Sequence, residues 1–227
     1  MTDLVSLGFR WVRPHMMPPE ADRTGRYQDL LSVSEHWSRS LPGYWTFSWA
    51  SDPAERLHLA RALGVADLDG LFALSDAKLE AKEIGFPNVC FTRATAEAFR
   101  ERAKPDANLR LLELGLPAEL RAEALEESRP VGTWSAGGIH LALTRNVPVG
   151  PGRLLGYELV TLDVGTTPCS YACNDLGPGL ENGGVVFNDL GLIEDAGVAI
   201  GHARALSAGA FSAEPSLWLP IALIEPE

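Results

Sequence analysis

From residue 154 to residue 227 the chain has a single basic side chain, Arg204, against ten acidic ones. The first 153 residues hold twenty acids and eighteen bases, so nine of the eleven excess negative charges fall in the last third. Holding nucleic acid needs clustered Lys and Arg to neutralise phosphates, so nucleic acid is disfavoured as a partner. An acidic field also repels anionic membranes and attracts cations and basic surfaces. Lys is scarce throughout, at three residues to sixteen Arg, and Ala, Gly and Leu are abundant. That usage suggests GC-rich coding and a bacterial source.

Long apolar runs are missing too. The longest falls far short of the roughly 18 residues that a membrane span needs. Met1-Thr2-Asp3-Leu4-Val5-Ser6 offers no basic n-region and no apolar h-region, so no signal peptide is expected and a cytoplasmic location is. Three cysteines, Cys90, Cys169 and Cys173, are too few for a disulfide framework and are expected to remain thiols. Cys169 and Cys173 have the spacing of half a zinc site, but no second pair follows. Neither a metal nor another cofactor is therefore expected.

Catalytic motifs are lacking. Gly132-Thr133-Trp134-Ser135-Ala136-Gly137 has one residue too many before its serine for a nucleophile elbow. Gly177-Pro178-Gly179-Leu180-Glu181-Asn182-Gly183-Gly184 has no lysine to meet phosphates and reads as a flexible surface loop. His15, His36, His58, His140 and His202 form no zinc hydrolase or deaminase signature. No calcium-loop pattern organises the acids.

What is present is a change of period along the chain. The stretch from Met1 to about Ser51 is aromatic and irregular, with a strand-like alternation at Tyr44–Trp49. Helix signals dominate from Asp52 to about Glu127. Asp52-Pro53 opens one helix, stopped by Gly64. Asp67 opens a second, Ser75 caps a third through Ile84, and Thr95 caps a fourth through Lys104. Asn108–Leu114 fits either a strand or a helix, and Pro117 opens a helix ending near Ser128. Beyond Pro130 the pattern is extended: Ile139–Thr144 and Leu154–Val164 read as strands, Leu192–Ser207 as a helix, and Leu217–Ile224 as a last strand. Pro220 cannot donate to a ladder and places that last strand at an edge or bulge. Helices followed by strands predict an α+β fold, with a mainly antiparallel sheet from the C-terminal half packed against the N-terminal and central helices. No linker divides residues 1–227, which read as one domain; Ser128–Gly138 is the one candidate subdomain boundary.

Strand alternation places Glu158 on an apolar face with Leu154, Gly156, Val160 and Leu162. A carboxylate buried there requires a partner or a raised pKa. It is either a structural pair with an arginine from the helical half or an acid of a functional site. Asp163, Asp175, Glu181, Asp189, Glu194 and Asp195 form the candidate partner-binding set.

Four stretches of the C-terminal third carry a resemblance. They are Leu155–Val160, Ser170–Asn174, Asn188–Ile193 and Glu214–Pro220. Together they resemble a set of small uncharacterised bacterial proteins of immunity-protein type. The resemblance covers about a third of the chain and brings no catalytic assignment. It implies that Gly191 makes a turn and that Trp218 anchors the core. That set has a His-Ser-Trp-like stretch before the Cys-Asn pair, where this chain has Thr167-Pro168-Cys169-Ser170-Tyr171.

Three readings follow. The first is an acidic cytoplasmic bacterial protein that binds a basic protein, of the kind that neutralises a toxin. The second is an enzyme using carboxylates around Glu158 and Asp163, with or without a metal. The third is a structural module whose charge provides solubility.

Overall fold

The computed structural model describes residues 3–14, 30–34, 38–43, 46, 52–85, 89–105, 109–128, 137–161, 169–213 and 216–227. Its centre is an antiparallel sheet with strands β1 (Leu4–Pro14), β2 (Ser38–Leu41), β3 (Ile84–Gly85), β4 (Val89–Cys90), β5 (Arg110–Pro117), β6 (Gly152–Thr161), β7 (Cys169–Ser170) and β8 (Trp218–Pro226). The strand order is β3-β4-β1-β5-β8-β6-β7, with β2 also paired to β1. Seven α-helices among the described residues complete an α+β fold: α1 (Pro53–Ala62), α2 (Leu68–Glu80), α3 (Arg93–Ala103), α4 (Arg121–Glu127), α5 (Gly137–Arg145), α6 (Gly177–Asn182) and α7 (Ala196–Ser207). No helix of the described residues is long and apolar enough to cross a membrane.

The sheet is not confined to the C-terminal half. β1 is its longest strand and pairs with β5 along most of its length. Its residues Val5, Leu7, Arg10, Trp11 and Val12 are buried. Both faces of β1 are covered, so the polar half of the alternation is blurred and the segment reads as irregular.

β8 corrects a second expectation. It lies between β5 and β6 rather than at an edge. Pro220 is tolerated because β5 pairs only with Ala222, Leu223 and Ile224, so Pro220 lies beyond the end of that ladder and opposite Leu159 of β6.

Ile139–Thr144 is helical, within α5, and not a strand. Ile139, Ala142 and Leu143 are its buried residues, at i, i+3 and i+4. Over six residues that set cannot be told from alternation. Residues 68–80 form one helix, so Ser75 lies inside α2 and Ile84 is in a strand. Thr92, not Thr95, caps α3 and accepts a hydrogen bond from the Thr95 amide. The glycine-rich stretch at 177–184 contains α6, with Gly177 and Leu180 buried. Most of the Tyr44–Trp49 alternation, of the Gly132–Gly137 turn and of the 128–138 boundary lies outside the described residues.

Three apolar clusters fill the structure. One joins the centre of the sheet to Leu31, Val33, α4 and α5. A second packs α6, α7 and Tyr171 on β6 and β8, with Trp218 at 1 % exposure. The third packs α1–α3 on β1 and β4.

Candidate functional site

Glu158 is fully buried, as its place in the strand alternation predicts. Its partners are not the arginine expected. No ion pair joins it to a cation among the described residues. Ser32 Oγ donates to Glu158 Oε1, and the Val33 amide donates to Oε2 at 2.7 Å. Ser170 adds a third hydrogen bond, the second from a side chain. Burial pushes the carboxyl up to about 7 against the pull of these donors, and Cys173 pushes in the same direction as burial.

Ser32 and Val33 belong to a short strap, residues 30–34, that bonds to both β6 and β1. The Leu31 amide donates to Leu190 O at 3.1 Å. The Ser32 amide donates to Ser38 Oγ at 2.9 Å, and the Ser34 amide donates to Ser32 Oγ at 2.9 Å. Arg10, fully buried on β1, donates to Val33 O at 2.8 Å and also to Ser40 Oγ. Val33, through its amide and its carbonyl, therefore links the acid of β6 to the base of β1. Ser34 Oγ and Cys173 Sγ lie 3.3 Å apart at the end of the same network. Both oxygens of Glu158 are engaged and neither is exposed, so the arrangement holds a strap to a sheet.

Two buried polar groups had no sequence signal. Arg10 lies in the stretch read as irregular. Glu113 is buried on β5, where burial raises its carboxyl while Ser6 and the Gly150 amide stabilise its charge. Alternation within Arg110–Pro117 is masked because seven consecutive residues there are buried.

Five of the six candidate partner-binding acids come from one stretch of the described chain. Asp163 lies outside the described residues. Asp175, Glu181, Asp189, Glu194 and Asp195 are all exposed, and all come from residues 169–196, which contain no Lys or Arg. This segment covers the β6 edge of the sheet. β7 pairs with Val160 and Thr161, and Ile193 forms a bridge with Tyr157 further along the same strand. Covering an edge this way removes a template for aggregation.

Local chemistry fixes the segment. Asn188 Oδ1 accepts from the Leu190 and Leu192 amides at 3.0 and 3.1 Å, while its Nδ2 donates to Leu155 O at 2.9 Å. Gly191, at φ +72°, makes the turn; a Cβ there would meet Leu30 Cδ1 at 2.2 Å. Tyr171 stacks on Phe187 at 4.9 Å and donates to Gly191 O at 2.7 Å. Gly156, at φ +141°, takes up the bulge in β6 that lets Leu192 approach. Asp195 caps α7, accepting from the Val198 amide at 2.8 Å, and Glu194 precedes the helix instead of lying in its first turn.

Charge neutralisation happens elsewhere. Arg204 pairs with Glu119, and Glu225 with Arg153 and Arg110. Among the described residues no cation pairs with Asp175, Asp189, Glu194 or Asp195. No group of three or more His, Cys, Asp or Glu that could hold a metal occurs among the described residues. Cys90 is buried, and Cys90, Cys169 and Cys173 form no disulfide. An open cleft of about 530 Å³ lies between α2 and α3, lined by Gly70, Ala73, Leu74, Ala98, Glu101 and Arg102. It contains no paired carboxylates and no nucleophile. No family model, curated protein or solved structure matches the chain.

Proposed function

We propose that this is a binding protein that receives a basic protein on the acidic side formed by residues 169–196, as a toxin-neutralising immunity protein does. One observation carries the reading. Five exposed carboxylates stand on one ordered segment, with no base between Arg153 and Arg204 and with Arg204 drawn away to Glu119. Net charge of one sign on a fixed surface speeds association with an opposite surface and makes binding sensitive to salt. Toxins that act on nucleic acid are basic because they hold phosphates, and such a cleft suits an acidic inhibitor. The enclosed setting of Glu158 gives the carboxylate-enzyme reading no comparable support.

The test is affinity capture with the parent chain and with a variant carrying Asp175→Asn, Glu181→Gln, Asp189→Asn and Glu194→Gln, which leaves the Asp195 cap intact. The expected partner is basic, leaves the parent at about 0.5 M salt, where the Debye length is only a few ångströms, and is not retained by the variant. Absence of a partner at any salt, or equal retention by the variant, overturns the proposal.

A further inference from the structure

Charge alone leaves a surface sticky but unselective, and selectivity calls for an apolar centre. Phe211 stands out on three counts. Its backbone is left-handed, at φ 58° and ψ 25°, a conformation that is costly for a bulky residue and easy for Gly or Asn. It is 39 % exposed despite being aromatic. Its ring lies across Gly179 and Gly183 of α6, where added Cβ atoms would come within 3.1 and 3.0 Å of it. The other neighbour is His202 of α7, with ring centroids 6.3 Å apart. His202 Nδ1 is buried with no hydrogen-bond partner among the described residues.

The patch continues along α7. Val198, one turn before His202, is 39 % exposed, and Gly201 has open space where a side chain would stand. Val186, three residues beyond Gly183, is 82 % exposed. Exposed acids belong to the same two helices: Asp195 caps α7 and accepts from the Val198 amide at 2.8 Å, and Glu181 lies in α6. An apolar centre inside a charged rim is the arrangement in which a few anchors supply most of the affinity of an interface.

We propose that Val198, His202 and Phe211 form the apolar centre of the partner surface, which takes a leucine-like or aromatic side chain that a basic protein presents between its cations. The proposal rests on the acidic-side reading above and deepens it. The local strain at Phe211 supports it, because a backbone outlier held by its surroundings points to a use for the side chain.

Two probes test it. One is a short peptide of lysines with leucine at every third or fourth position; its twin has serine in place of each leucine. The parent chain should bind the leucine peptide about fivefold tighter than the serine peptide, the order expected from burying part of two apolar side chains. Phe211→Asn, whose new side chain suits the left-handed backbone, should abolish the preference and leave the serine peptide's affinity unchanged. Val198→Ser, on the exposed helix face, should reduce the preference even if the Phe211 variant fails to fold. Equal binding of the two peptides, or a preference that survives Val198→Ser, overturns this inference and leaves the acidic side standing as a charge-only surface. Binding of neither peptide overturns both.

Discussion

Among single residues, Glu158 is a fully buried carboxyl that bonds to the 30–34 strap through both oxygens. Folding holds its carboxyl near 7, against an ordinary value of 4.5, and burial is the main cause. Between those values the folded chain keeps a proton that the unfolded chain has released. The contribution of this group to stability is therefore largest below the ordinary value, falls as pH rises towards 7, and levels off above it. The total fall is on the order of 3 kcal/mol. Glu158→Gln should flatten that decline, bringing urea midpoints at about pH 5 and about pH 8 closer together than in the parent. An unchanged gap would show that another group sets the slope. Glu158→Ala leaves the Ser32 hydroxyl and the Val33 amide buried without their acceptor, and should cost about 3 kcal/mol. A melting temperature equal to the parent's would contradict the burial. The acid itself was legible from alternation in β6. Its partners were not, because the strap at 30–34 is too short to show a period and reaches Glu158 across more than 120 residues of chain.

Among the elements, the helix starts at Asp52 and Asp67 were readable, whereas Ser75 lies inside α2, Thr92 caps α3 in place of Thr95, and Asp195, inside the helix expected from Leu192, is the cap of α7. Asp52, Asp67 and Asp195 each precede a helix and accept a hydrogen bond from its first turn. Where two periods fit a short apolar run, the sequence could not decide. α5 buries Ile139, Ala142 and Leu143 as a helix, yet Ile139, Leu141 and Leu143 alternate as well as any strand. β5 and β8 are buried along nearly their whole length, so neither shows a polar face. Capping also divides the tasks of Asp195. Asp195→Ala should lower stability by about 1 kcal/mol, whereas Asp195→Asn should keep the cap and most of that stability. Equal losses in the two variants would mean that charge at the helix end, and not the hydrogen bond to Val198, carries the effect.

At the scale of the whole molecule, the charge asymmetry of the sequence became a surface because residues 169–196 wrap one edge of the sheet. The helical side around α1–α3 carries acids too, but bases are interleaved with them, as in Lys78–Glu83 and Arg102–Asp67. Sequence supplied the imbalance; only the fold could show that the segment carrying five exposed acids covers the β6 edge and that Phe211 packs on α6 within it. The most direct measurement is amide hydrogen exchange with and without the lysine–leucine peptide, at low salt and again at about 0.5 M. The account predicts slowed exchange within residues 175–204, no change in α1–α3, and loss of the effect at high salt. Slowing confined to α1–α3, or protection that persists unchanged at high salt, would contradict it.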